Sequence, residues 1–144
     1  MVNQLLLLAA ILWAAGAILG LVGAVALGRL ALALGASAGV LAAIFGLPGA
    51  SQTVVLPGQL IAENVSFRIE PRGLWLMGFG LVPAGLACAL ASPSPGGRRG
   101  WAFGASMSLI GALGVFGLQN GAALLIAWEA MSLGGAVLIL SDGF

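Results

Sequence analysis

The sequence predicts an all-α membrane protein with about five transmembrane helices and a small extracytoplasmic β-hairpin between helices 2 and 3. Three observations carry that expectation. Of the 144 residues, 61% are hydrophobic and 6% charged, with a mean hydropathy of +1.17, more apolar surface than a soluble domain of this size can bury. The apolar residues fall into runs of roughly 20, the length a helix needs to cross a hydrocarbon core of ~30 Å. One segment between runs abandons the helical period for strict alternation.

The first span is expected over residues 5–27, ending at Gly28-Arg29. Its start, MVNQLLLLAAILWAAGAILG, has no Lys or Arg before the apolar run, and the run is too long for a signal-peptide core, so a retained helix is expected. The second covers 30–47 and is stopped by Pro48-Gly49. Gly16, Gly20, Ala24 and Gly28, then Gly35 and Gly39, recur at four-residue spacing, a small-residue face that lets helix backbones approach. Generic packing is the plain reading of that face, and a dimer motif the alternative. A β-hairpin is expected over 53–70: Thr53-Val54-Val55-Leu56 is rich in strand formers, Pro57-Gly58 supplies a turn, and Val65, Phe67 and Ile69 alternate along one side. Asn64-Val65-Ser66 also fits a glycosylation acceptor, a three-residue pattern that arises often by chance. The third span covers 73–91 and contains Pro83, which removes a backbone donor and kinks a helix. A Pro/Gly-rich loop over 92–100 leads to a fourth span over 101–117, where Ser106 and Ser108 either hold water or bond their own backbone. The fifth span covers 119–141.

Composition also excludes functions. Five Arg and no Lys against four acids give a net charge of +1, which excludes a basic nucleic-acid binder. With no His and a single Cys88, the chain has no metal cluster, disulfide framework or ligand set for haem, flavin or iron–sulfur cofactors, so no cofactor is expected. No Ser–Lys, His or paired-Asp arrangement supports hydrolysis. Arg29, Arg98 and Arg99 follow spans one and three and fall on one side of a five-span alternation; the positive-inside rule makes that side cytoplasmic. The N-terminus is then outside and the C-terminus inside.

The chemistry concentrates in the last span, at Glu129. A carboxylate at mid-bilayer depth costs roughly 2.5–3.5 kcal/mol on insertion scales and marks an ion or proton path by default. At 100° per residue, Ala122, Leu125, Ser132, Leu133 and Ala136 lie within about 60° of it. The three small residues leave room for another helix or for water, and Ser132 stands one turn away as a possible donor. Trp128 beside it is a mid-span aromatic rather than an interfacial anchor. Every arginine falls in a predicted loop, so any cation for Glu129 must come from elsewhere. The competing reading is a carboxyl kept neutral and hydrogen-bonded for packing.

The segment Trp128-Glu129-Ala130-Met131-Ser132-Leu133, after Ala123-Leu124-Leu125-Ile126-Ala127, resembles the WE-x-MSL signature of antiporter-like membrane subunits. These occur in complex I, multisubunit cation/proton antiporters, membrane-bound hydrogenases and formate hydrogenlyases, and the hydrogenase-4 component B branch is the most similar. Two short helices and a hairpin ending in Phe67-Arg68-Ile69-Glu70-Pro71 also resemble that family's N-terminal part. The resemblance implies a bacterial inner-membrane subunit in which Glu129 is a proton-relay acid, with Trp128 and Ser132 on its supporting face. In the family that acid pairs with a lysine on a later helix. Full-length members have about fourteen spans, so the resemblance implies an N-terminal fragment or half of a split subunit. The expected partners are the bilayer and other membrane subunits of a hydrogenase or complex I-like assembly, one of them supplying the lysine. The chain is then not an enzyme by itself; redox chemistry belongs to its partners. Two other readings stand beside this one: an accessory scaffold whose Glu129 pairs a partner's cation for assembly, and a small independent transporter.

Overall fold

The computed structural model describes residues 1–46, 53–90 and 98–141. It is mostly helical, with one two-stranded antiparallel sheet between the second and third helices. Among the described residues four helices are long and apolar enough to cross a membrane: α1 (Val2–Leu21), α2 (Val25–Gly46), α5 (Arg98–Gly117, over its Gly100–Gly117 stretch) and α6 (Gly121–Ser141). The expected stops at Pro48-Gly49 and residues 92–97 of the expected loop lie outside the described residues.

The first turn between helices falls earlier than the sequence suggests. The chain reverses at Gly23, whose φ of 90° favours glycine, and Gly28 and Arg29 belong to α2. Gly28 is needed for a helix crossing, not a stop. A Cβ there would stand 3.0 Å from the Gly16 carbonyl oxygen and 3.2 Å from the Gly20 nitrogen. The small-residue stripe is therefore used within the chain, where α1 and α2 pack backbone to backbone. Arg29 stacks its guanidinium over Trp101 at 5.6 Å from the ring centroid, joining the start of α2 to the start of α5.

The hairpin pairs β1 (Val54–Leu60) with β2 (Glu63–Phe67). Its turn is Ile61–Ala62, not Pro57-Gly58. Both turn residues have positive φ, 52° and 59°, as a two-residue hairpin loop demands. Pro57-Gly58 instead sits in an irregularity of β1 between Val55 and Gln59, where proline's missing donor costs no ladder bond. The expected alternation holds in part: Ile69 is buried and Val65 and Phe67 half-buried, Asn64 and Arg68 are exposed, but Ser66 is half-buried like its neighbours because its carbonyl accepts the Gln119 N–H.

The third expected span is a continuous run in three pieces: α3 (Pro71–Leu76), a π segment (Met77–Leu81) and α4 (Val82–Leu90). Pro71 opens it at the first helical position, where its missing N–H is no loss. A kink is expected at Pro83; the irregularity present is the π segment, which ends at Leu81, two residues before it. A proline ring in a helix crowds the carbonyl four residues back, which for Pro83 is that of Phe79, and the wider turn of a π segment relieves such crowding. Leu74, Met77 and Val82 from this run pack with Leu6, Trp13 and Leu32 into the central core.

Arg98 and Arg99 stand in the first turn of α5 rather than in a loop. They share one end of the bundle with Arg29. The hairpin, the start of α1 and the α5–α6 connection share the other. Helix α6 packs chiefly against α5 and forms an edge of the bundle.

Candidate functional site

Two devices place Glu129, one at the head of α6 and one along its length. At the head, Asn120 is buried, and its Oδ1 accepts the Ala123 backbone N–H at 3.1 Å. This is an N-cap bond to the third helical residue. The Asn120 Nδ2 donates to Glu63 Oε2 at 2.9 Å, tying the helix start to the hairpin. The same connection accepts strand β2. The Arg68 N–H donates to the Gly117 carbonyl at 2.7 Å, and the Gln119 N–H donates to the Ser66 carbonyl at 3.0 Å. Gln119 Nε2 adds bonds to the carbonyls of Arg68, 3.1 Å, and Gly117, 3.2 Å. The Phe67 ring lies where any side chain on Gly117 would stand. The depth of α6 is thus set by main-chain bonds, and Glu129 falls eight residues past Gly121, or about 12 Å along the axis.

Along its length, α6 is seated on α5 by glycines. A Cβ on Gly111 would lie 2.5 Å from the Met131 nitrogen and 2.7 Å from the Ala127 oxygen. One on Gly134 would lie 2.6 Å from both Ser108 N and Oγ, and 2.7 Å from the Gly104 oxygen. Ala123, Ala127 and Gly134 are the buried residues of α6. They lie about 120–160° around the helix from Glu129 at 100° per residue. The acid consequently points away from the bundle. Leu125, Trp128, Glu129, Ser132, Leu133 and Ala136 are all exposed, and Ala122 is half-buried.

The expected face around Glu129 therefore exists as one surface, turned outward from this chain. Among the described residues the Glu129 carboxyl has no hydrogen-bond or ion-pair partner. Ser132 does not serve it: its hydroxyl donates to the Trp128 carbonyl at 3.0 Å, the usual fate of a helical serine without a better acceptor. Trp128 is half exposed and packs on no core. In α5, Ser108 donates across the seam to the Met131 carbonyl at 3.4 Å rather than to its own helix. Ser106 is fully buried, and its hydroxyl has no hydrogen-bond partner among the described residues.

The sequence reading missed Asn120 and Glu63. An Asn directly before an apolar helical run is an N-cap signal, and applying it to Asn120-Gly121 would have found the first. Nothing local foretells its bond to Glu63, which lies 57 residues away. Compared with family models, curated proteins and solved structures, the chain finds no match.

Proposed function

We propose that this chain is a membrane subunit contributing to proton or cation translocation in a respiratory or hydrogenase-type redox complex, with Glu129 as its intramembrane relay acid. The carrying observation is the carboxyl itself: mid-helix in an apolar span, unpartnered, on a face of Ala122, Ser132 and Ala136 open to close approach. An acid left against hydrocarbon is costly, so the face requires a cover that supplies polar contact. A partner segment carrying a cation, with trapped water, meets that requirement and makes a site that can load and release a proton. The likeness of Trp128–Leu133 to antiporter-like subunits supports the same assignment. In this reading α1, α2, the run from Pro71 to Leu90, α5 and α6 are five spans, with the hairpin outside and the arginine-bearing end in the cytoplasm. The membrane is the bacterial inner membrane. The chain supplies no redox group; electron transfer belongs to partner subunits.

The outward aim of Glu129 equally favours a second reading, in which the acid pairs a partner's cation only to hold an assembly together. Glu129→Gln separates the two, because it keeps shape and hydrogen-bonding capacity but cannot ionise. The translocation reading expects the variant complex to assemble and lose proton coupling in reconstituted vesicles. If the complex instead fails to assemble, while the assembled fraction couples normally, the relay role is lost and the assembly role stands.

A further inference from the structure

A second feature lies on the run from Pro71 to Leu90, at its hairpin end. Leu74, Met77 and Gly78 turn one side of that run into the bundle, and the opposite side is an outward stripe of Arg72, Trp75, Leu76 and Phe79. Spacings of three and four residues stack these positions one above another on the helix surface. Arg72, Trp75 and Leu76 line a shallow groove with Pro71, and the Trp75 and Phe79 rings meet with centroids 6.1 Å apart, tilted by 53°. Arg68 is engaged by Glu70 at 3.0 Å and Arg29 lies over Trp101. The exposed Arg72 guanidinium, by contrast, has neither an ion pair nor a ring partner among the described residues.

We infer that this stripe binds an anionic phospholipid, with Arg72 on the phosphate and the Trp75 and Phe79 rings along the upper part of an acyl chain. Arg72 is the second residue of the run and follows directly on the hairpin, so with the hairpin outside it stands at the boundary of the apolar layer. At 1.5 Å per residue Trp75 lies about 4.5 Å deeper, and Phe79 about 10 Å deeper. A cation, then an amphipathic indole, then a phenyl ring complements the order of phosphate, ester and hydrocarbon in a phospholipid. The guanidinium fork can donate two parallel N–H bonds to phosphate oxygens. Free phosphate would satisfy Arg72 but leave Trp75 and Leu76, each about half exposed, uncovered. The neighbouring acid, Glu70, is already engaged by Arg68, so an anionic head group meets a cation that no acid offsets. One such arginine gives about a fivefold preference over a zwitterionic lipid. Lipid binding here requires that Pro71–Leu90 spans the membrane, as proposed above, and is independent of the role of Glu129.

The test uses the whole chain in phosphatidylcholine nanodiscs doped with phosphatidylglycerol or phosphatidylcholine carrying bromine high on one acyl chain. Bromine quenches tryptophan fluorescence on contact, and the Trp75 signal is the difference between the chain and its Trp75→Phe variant. The Trp128 signal, obtained in the same way from Trp128→Phe, reports ordinary lipid contact on the exposed face of α6. Brominated phosphatidylglycerol is expected to quench Trp75 at about one fifth of the mole fraction that brominated phosphatidylcholine requires. Arg72→Gln, at an exposed position, should erase that difference, and Arg72→Lys, which keeps the charge, should retain most of it. The inference is overturned by equal quenching from the two lipids or by a preference that survives Arg72→Gln. It is also overturned by a preference that inorganic phosphate removes and chloride of equal ionic strength does not, which would mark a site for a free anion. A Trp75 shielded from both lipids while Trp128 is quenched would overturn it too, in favour of a protein surface on the stripe. Absence of quenching at both tryptophans would instead overturn the membrane reading beneath it.

Discussion

Gly134 and Gly135 are neighbours in sequence with opposite surroundings, and the contrast tests how α6 is held. At Gly134 an added methyl would meet Ser108 and the Gly104 carbonyl at 2.6–2.7 Å, well inside the 3.5–4.0 Å of a normal contact. Backbone cannot swing aside as a side chain can, so the two helices must part by something near 1 Å. A gap of 0.5–1 Å forfeits a quarter to a half of each dispersion contact along the seam. Overpacking of this kind costs about 1–3 kcal/mol. At Gly135 nothing lies within 4 Å of the same methyl, and replacing a mid-helix glycine by alanine gains up to ~1 kcal/mol. The propensity gain is common to both substitutions and cancels, so Gly134→Ala is expected to be the less stable of the two by about 1–3 kcal/mol. Reversible SDS unfolding in mixed micelles, followed by tryptophan fluorescence, measures the difference. Equal effects of the two substitutions, or a neutral Gly134→Ala, would refute close backbone seating as the means by which α6 is oriented.

Other outcomes follow from the same geometry. Asn120→Ala removes the N-cap of α6 and the partner of Glu63; a loss of about 0.5–2 kcal/mol is expected, with faster amide exchange at residues 121–123 reported by hydrogen–deuterium exchange. Ser108→Ala deletes only a long 3.4 Å bond, so the same unfolding assay should register no more than about 0.6 kcal/mol, the average for such bonds between membrane helices. Ala62→Gly relieves a left-handed residue in the hairpin turn and should raise stability by ~1 kcal/mol, seen as slower exchange across β1 and β2. A destabilised Ala62→Gly would mean that the turn does not hold that conformation in the protein.

Local composition made much of this molecule legible. Apolar runs bounded by Gly, Pro and charge located α5 and α6 closely, and period-two alternation located β2, because helix and strand periods are written in neighbouring residues. The errors came where one residue type has two uses. Gly28 serves a crossing and Gly23 a turn, and only the partner helix distinguishes them. Pro57-Gly58 marks an irregularity rather than the reversal, because register is set by the pairing of the whole strand. Arg98 and Arg99 read as loop residues, although a helix end tolerates charge once it reaches the boundary of the apolar layer.

By itself the sequence determined that the chain is a set of apolar helices with one acid in the middle of the last. It also placed small residues around that acid, since spacing along a helix fixes which side chains share a face. The direction in which that face points was a tertiary decision. Gly104, Gly111 and Gly134 seat α6 on α5 by the side opposite Glu129, and Asn120 with strand β2 fixes its depth. The physical reason is that a helix rotates toward whichever stripe permits the closest backbone approach, and complementary stripes on two helices cannot be matched from either one alone.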